Sequence, residues 1–295
     1  MIGEFAALAT ALLWSFSAIF FTLGGRYVGS TVLNRTRLVI GLVYLSIALF
    51  ITKGQFLPIN AGYNHWFWLG LSGIIGLVLG DSALFQAFVL IGPHLSMLLM
   101  TLVPIISIII AWVFLTETLT IIEVFGVILT IGGITLVILT KRETIKISKK
   151  QFVTGTLCGV GGAVGQAIGL VIAKKGLFNN FPGLSATVIR VSIATLVIWL
   201  ITLITGKAKT TIKKVINNKI ILIIAAGAFC GPFLGIWMSM NAIKWTHVGI
   251  ASTIMALPPV LLLPVSYWIF KEKITIQSII GTFIAVVGIA IIFLR

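Results

Sequence analysis

Ten apolar runs, each about as long as a helix that crosses a hydrocarbon layer, limit what this chain can fold into. They fall near residues 3–23, 33–52, 66–91, 94–115, 121–140, 152–173, 184–205, 219–243, 247–269 and 275–294. A bilayer-crossing helix needs roughly 20 mostly apolar residues. Backbone amides inside lipid have no water to bond, so runs of this length resolve into helices. With 59% hydrophobic and 9% charged residues and a mean hydropathy of +1.18, the 295-residue chain has too few polar side chains to cover a soluble globule. The expected fold class is all-α and integral to the membrane, with ten transmembrane helices. The expected location is the cell (inner or plasma) membrane, with multiple passes and lipid as the main surround.

The formal net charge of +15 invites a nucleic-acid reading, but the basic residues cluster in short breaks between apolar runs and form no interleaved basic-aromatic stripe. They read as interfacial charges, and no nucleic-acid partner is expected. Cys158 and Cys230 lie far apart within apolar segments, so no disulfide framework is implied. The start, MIGEFAALAT, has no basic leader region and is expected to be a retained first span.

The breaks GGRYVGST, TKGQFLPINAGYNH, KRETIKISKK, KKGLFNNFPG and GKAKTTIKKVINNK are too short to fold as soluble domains. Any chemistry therefore belongs inside the helix bundle or at its mouths. The second half also repeats the first. At an offset of 155, Pro104 lies over Pro259, Glu117 over Glu272, Thr120 over Thr275, Gly126 over Gly281 and Gly133 over Gly288. The same offset pairs Gly76 with Gly231, Gly80 with Gly235 and Gln86 with Asn241, while Arg37 and Arg190, and His94 and His247, match at 153. Two units of five helices follow, over residues 1–145 and 146–295. Five crossings is an odd number, so equivalent helices are expected to run in opposite directions, as an inverted repeat about an axis in the membrane plane. If each unit has two shapes, exchanging them turns an outward-open cavity inward, which makes a transporter the leading expectation.

VFLTETLTIIEVFGVILTIGGITLVIL closes one half and WIFKEKITIQSIIGTFIAVVGIAIIFL closes the other. This double repeat resembles the EamA-type carriers of the drug/metabolite transporter superfamily, whose motif is an apolar helix ending in glutamate, a short polar turn and a glycine-bearing helix. LLWSFSAIF also resembles the family's first helix, whereas the equivalent GGAVGQAIG lacks the tryptophan. The resemblance covers nearly the whole chain and implies a carrier, and the expected function is export of a small metabolite such as an amino acid. The superfamily moves amino acids, nucleotide sugars, other metabolites and drugs with similar motifs, so the cargo stays open. The resemblance also implies a central cavity between the first, third, fourth, sixth, eighth and ninth helices.

Asp81 is the most informative polar residue, because a charge at mid-bilayer costs about 2.5–3.5 kcal/mol on insertion scales and usually faces a wet cavity or a partner. It either pairs with an arginine such as Arg37 or lines the cavity, binding a proton or a cationic group. The other half has Ile236 at this position, so a site built on Asp81 is asymmetric. Arg37 and Arg190 read either as structural hydrogen-bonding residues common to both units or as a clamp for a substrate carboxylate or phosphate. Arg35 reads as interfacial. Gln86, Asn241 and Gln166, with Trp14, Ser15, Ser17 and Trp237, are candidates for polar and aromatic cavity walls. Gly76 and Gly80, and Gly231 and Gly235, form steps that let helices approach closely, and Pro104, Pro258, Pro259 and Pro264 mark kinks or hinges. His94 and His247 read as caps or proton relays, and Glu117 and Glu272 as caps or interhelical ties.

The chain has no Walker A motif, no glycine-rich dinucleotide fingerprint and no residue spacing for a metal site, so no cofactor or metal is expected and the carrier is expected to be secondary-active. A membrane-embedded enzyme and a passive channel are the alternatives from other classes. The partners expected are a small-molecule substrate and the bilayer, with the chain a monomer or homodimer. Orientation draws opposite answers. The side with both termini carries five basic residues, Lys53, Lys174, Lys175, Lys244 and Arg295, against thirteen on the other side. The positive-inside rule thus puts the termini outside, while the family resemblance puts them in the cytoplasm.

Overall fold

Every apolar run with described residues becomes helix, and no strand occurs among the described residues. The structure, a computed structural model, describes residues 1–139, 148–216, 220–261 and 275–294. In chain order the helices are α1 (Ile2–Val28), α2 (Ser30–Lys53), α3 (Tyr63–Gly73), α4 (Asp81–Met100), α5 (Leu102–Leu115), α6 (Ile121–Leu139) and α7 (Lys149–Gly176). They continue with α8 (Gly183–Ile204), α9 (Ala208–Ile216), α10 (Ile220–Ala228), α11 (Ile236–Trp245), α12 (Val248–Met255) and α13 (Ile276–Phe293). Eight helical stretches among the described residues are long and apolar enough to cross a membrane. Two shorter apolar helices, Ile121–Leu136 and Val248–Leu261, occupy the remaining expected runs.

The repeat is visible in the backbone. A π-helical segment, Ile74–Gly80, joins α3 to α4, and a second, Phe229–Gly235, joins α10 to α11. The two sit at the same offset of 155 that aligns the halves in sequence. In the second segment Pro232 has no amide hydrogen to close an α-helical turn. Local π-helix often marks a functional region, and here it immediately precedes Asp81 in one half and Ile236 in the other. The closing helices also start alike. Thr120 and Glu123 cap α6 reciprocally, with the Glu123 amide donating to Thr120 Oγ1 at 3.3 Å, and the Ser278 amide donates to Thr275 Oγ1 at 3.1 Å at the start of α13.

The halves exchange helices. From the first half, α1 packs on α10, the second π segment and α11; from the second, α7 packs on α3, the first π segment and α4. Glycine makes the second crossing possible. A Cβ built on Gly165 would lie 2.8 Å from Gly80 Cα, and one on Gly169 would lie 3.0 Å from Gly76 Cα, so the two backbones touch where the halves cross. At the equivalent crossing the glycines face side chains instead. A Cβ on Gly235 would lie 2.6 Å from the Trp14 indole, and one on Gly231 2.6 Å from Ser17 Oγ. The closing helices pack on each other, with a Cβ on Gly133 meeting Gly281 O at 2.5 Å and one on Gly126 meeting Gly288 O at 2.9 Å.

One end of the bundle carries a polar tie. The start of α1 and the end of α7 meet at Thr246, whose hydroxyl donates to Glu4 Oε1 at 3.1 Å and whose carbonyl accepts from Lys174 Nζ at 2.7 Å. Glu117 pairs with Lys174 at 2.5 Å and accepts the Val248 amide at 2.7 Å, tying the end of α5 to α7 and to the start of α12. The Phe5 and Phe293 rings, 5.3 Å apart, place the two ends of the described chain on this same face.

Two expectations change. The break GKAKTTIKKVINNK contains helix α9, whose Thr211 and Val215 are buried. Arg35, expected at the interface, is buried beneath it and donates to Thr211 Oγ1 at 3.0 Å. Glu272, Pro264 and the side chain of His94 lie outside the described residues.

Candidate functional site

The first π segment delivers Asp81 into the bundle with 6% of its surface exposed. Its Oδ2 pairs with Arg37 Nη2 from α2, and its Oδ1 accepts from Gln166 Nε2 on α7. Arg37 is held in turn, donating from Nε to Asn34 Oδ1 at 2.9 Å, while Asn34 donates to Leu77 O at 3.2 Å and to Ser82 Oγ at 3.0 Å. Phe85 covers the guanidinium, its ring centre 4.7 Å from Arg37 Cζ, and Phe21 lies at 5.4 Å. The arginine partnership read from the sequence is present, and Asp81 also lines a cavity. Gln166 supplies a second partner from the other half of the chain.

These groups border a cavity of about 170 Å³ where the two halves meet. Its walls come from helices of both units, and residues of α2 and α8 reach it as well as those of the helices implied by the resemblance. Trp14, Ser17, Asp81 and Gln166 line it, as do Arg37, Arg190, Gly231 and Pro259. Phe21, Phe85, Phe88, Met97, Met100 and Met255 make most of the remaining wall apolar.

Arg190 on α8 is held differently from its repeat counterpart. It is 2% exposed, its Nη1 faces Met240 Sδ at 3.8 Å, and its Nε has no hydrogen-bond partner. Its Nη2 occupies space over the glycine face, 2.7 Å from a Cβ built on Gly76 and 3.4 Å from one built on Gly169. Ile236, also a wall residue, stands where a second aspartate would complete the symmetry.

Four wall candidates, Gln86, Asn241, Trp237 and Ser15, sit elsewhere. Gln86 accepts from Ser30 Oγ at 3.1 Å and joins α4 to α2. Asn241 packs on the start of α8, where a Cβ on Gly183 would lie 2.2 Å from its Oδ1. Trp237 packs against the Phe233 ring, centres 6.1 Å apart, on the apolar core. Ser15 is turned back on its own helix, donating to Ala11 O at 2.7 Å, and Pro104 is buried within α5. His247 stands at the start of α12 without a side-chain capping bond, and Glu117 accepts the first amide of that helix. No group of three or more metal-ligating side chains occurs among the described residues. The wall contributions of Thr101, Ser239 and Ser252 had no sequence signal, since isolated hydroxyls in apolar helices usually bond their own backbone.

A multi-helix membrane protein with a partly charged cavity between two repeated halves is the class this arrangement defines. The profile of the EamA-like transporter family matches residues 1–139 and again 153–294, and the chain belongs to that family. Of 29 matching solved chains, one titled "Crystal structure of protein" superposes with a TM-score of 0.78 at 18% identity, covering 99% of this chain and 96% of the other, which establishes shared fold. No curated protein matches the sequence. Membership identifies a multi-pass transporter-family membrane protein.

Proposed function

We propose that this protein is a secondary-active carrier that exports a small metabolite, such as an amino acid, across the cell membrane by alternating access. In this reading ten spans form two inverted five-helix repeats over residues 1–145 and 146–295, and the chain works without enzymatic chemistry as a monomer or homodimer in lipid. The observation that carries it is the cavity at the junction of the halves, where three buried charged side chains, Arg37, Asp81 and Arg190, border an otherwise mostly apolar wall. Inversion is supported at Thr246, where the beginning of α1 meets the end of α7, its repeat counterpart. The tie of Glu117, Lys174 and the start of α12 supports a gate that holds one face closed. Gly76, Gly80, Gly231 and Gly235 then serve as sliding surfaces, and Pro104 and Pro259 as hinges.

Both Asp81 oxygens are engaged, so a coupling proton competes with Arg37 for the carboxylate. Coupling therefore requires that pair to open as the carrier switches. The test is counterflow in proteoliposomes loaded with individual amino acids. The reading expects saturable exchange that slows and changes its pH dependence in Asp81→Asn. Flux that rises without saturation contradicts a carrier, and unchanged rate and pH dependence in Asp81→Asn contradicts the proton role.

A further inference from the structure

We infer that Arg190 is the seat for a carboxylate or phosphate group on a small substrate with an apolar body, an assignment that rests on the carrier reading and names its substrate class. The two repeat-equivalent arginines start from the same position in their units and end in opposite situations. Arg37 has Asp81, and the position that would give Arg190 the same partner holds Ile236. Arg190 is nevertheless 2% exposed, and among the described residues its only hydrogen-bond contact is the Met240 sulfur, a weak acceptor. Asp81, the acid whose field reaches Arg190, already gives its oxygens to Arg37 and Gln166. Among the described residues, two guanidinium groups and one carboxylate leave the cavity one positive charge in excess.

A buried guanidinium without an anion is unfavourable, and a planar fork of N–H donors is shaped for two oxygens of one group. The cradle is built for that fork. Gly76 and Gly169 leave the room that Nη2 fills, and any side chain at Gly76 would meet it at 2.7 Å. The same cavity is walled by Phe88, Met97, Met100 and Met255, with Phe21 and Phe85 over the Arg37 guanidinium, which favours an apolar body on the bound anion. The sulfur-lined part of that wall adapts to different shapes. A cationic ligand gains little here, because Asp81 is occupied and two positive charges oppose it.

Thermal unfolding of the full chain in detergent tests this with phenylacetate, 4-methylpentanoate and phenyl phosphate, each matched to a neutral amide or alcohol and to an amine, and with inorganic phosphate alone. At least one organic anion is expected to raise the melting temperature saturably, with its neutral and cationic matches at least tenfold weaker. Arg190→Met is expected to abolish that shift while leaving the ligand-free melting temperature equal or higher, because it removes an unpaired buried charge. Ile236→Asp gives Arg190 an internal partner and is expected to raise the ligand-free melting temperature and also abolish the shift. An amine that outperforms its matching anion, or an anion-induced shift that survives in both variants, overturns the anion seat but leaves the carrier reading. Arg190→Met melting well below the parent makes Arg190 a structural tie and overturns the assignment. Inorganic phosphate acting alone, with no organic anion effective, reduces the site to an inorganic-ion seat and overturns it as well. If no probe of any charge shifts the parent protein, the assignment falls together with the binding cavity on which it rests.

Discussion

Gly73→Ala should unseat α8. A Cβ built at Gly73 lies 2.3 Å from Arg190 O and 3.1 Å from Arg190 C, backbone atoms that cannot rotate aside. Ordinary contact begins at 3.4 Å, so α3 and α8 must separate by about 1 Å, and overpacking of this kind costs about 1–3 kcal/mol. The helix-propensity gain of about 0.5–1 kcal/mol from replacing glycine by alanine offsets only part of it. Gly161→Ala, on the exposed face of α7 with nothing within 4 Å, keeps the gain without the clash. Melting of both variants in the same detergent should therefore move in opposite directions, at about 2–4 °C per kcal/mol for chains of 150–250 residues. The displaced helix carries Arg190, so Gly73→Ala should also weaken anion binding while Gly161→Ala leaves it intact. If Gly73→Ala melts at or above Gly161→Ala, the close approach of α3 and α8 is refuted.

Other perturbations separate the roles of neighbouring groups. Asp81→Leu should destabilise by about 3–5 kcal/mol by stranding Arg37, and adding Arg37→Met should recover most of the loss, read by melting of the single and double variants. Gly231→Ala places a methyl 2.6 Å from Ser17 Oγ, a side chain that can turn, so the expected result is reduced ligand affinity in a binding titration with a nearly unchanged melting temperature. Thr275→Ala removes the cap that accepts the Ser278 amide and should lower stability by about 1 kcal/mol without changing ligand affinity.

The sequence read well where it carried length, spacing or repetition. Apolar runs located the helices, eight of them among the described residues long enough to span, and the offset of 155 that paired Gly76 and Gly80 with Gly231 and Gly235 also locates the two π segments. It gave no hint that those glycines meet different neighbours, the glycine face of α7 in one half and Trp14 and Ser17 in the other. Helices apolar all round have no periodic pattern to say which face turns inward, so their rotation is set by packing. That is why Gln166 reached Asp81 across 85 positions while Gln86, on the same helix as Asp81, turned to Ser30. Arg35 read as interfacial and Arg37, matched by Arg190 in the repeat, as a structural or substrate-clamping residue, yet both are buried. One is buried against α9, a helix hidden in a basic break, and the other is anchored by Asn34 and Asp81.

The central claim is that access to the cavity alternates between the two faces. Ser252→Cys, in a background with Cys158 and Cys230 replaced by serine, puts one thiol on the cavity wall. Its reaction with a membrane-impermeant maleimide from each side of oriented proteoliposomes is the most direct measurement, made with and without Glu117→Gln to loosen the tie to Lys174 and α12. Alternating access predicts that loosening the tie raises labelling from that face and lowers it from the opposite face. Labelling that rises from both faces together, or stays equal from both in every variant, contradicts it.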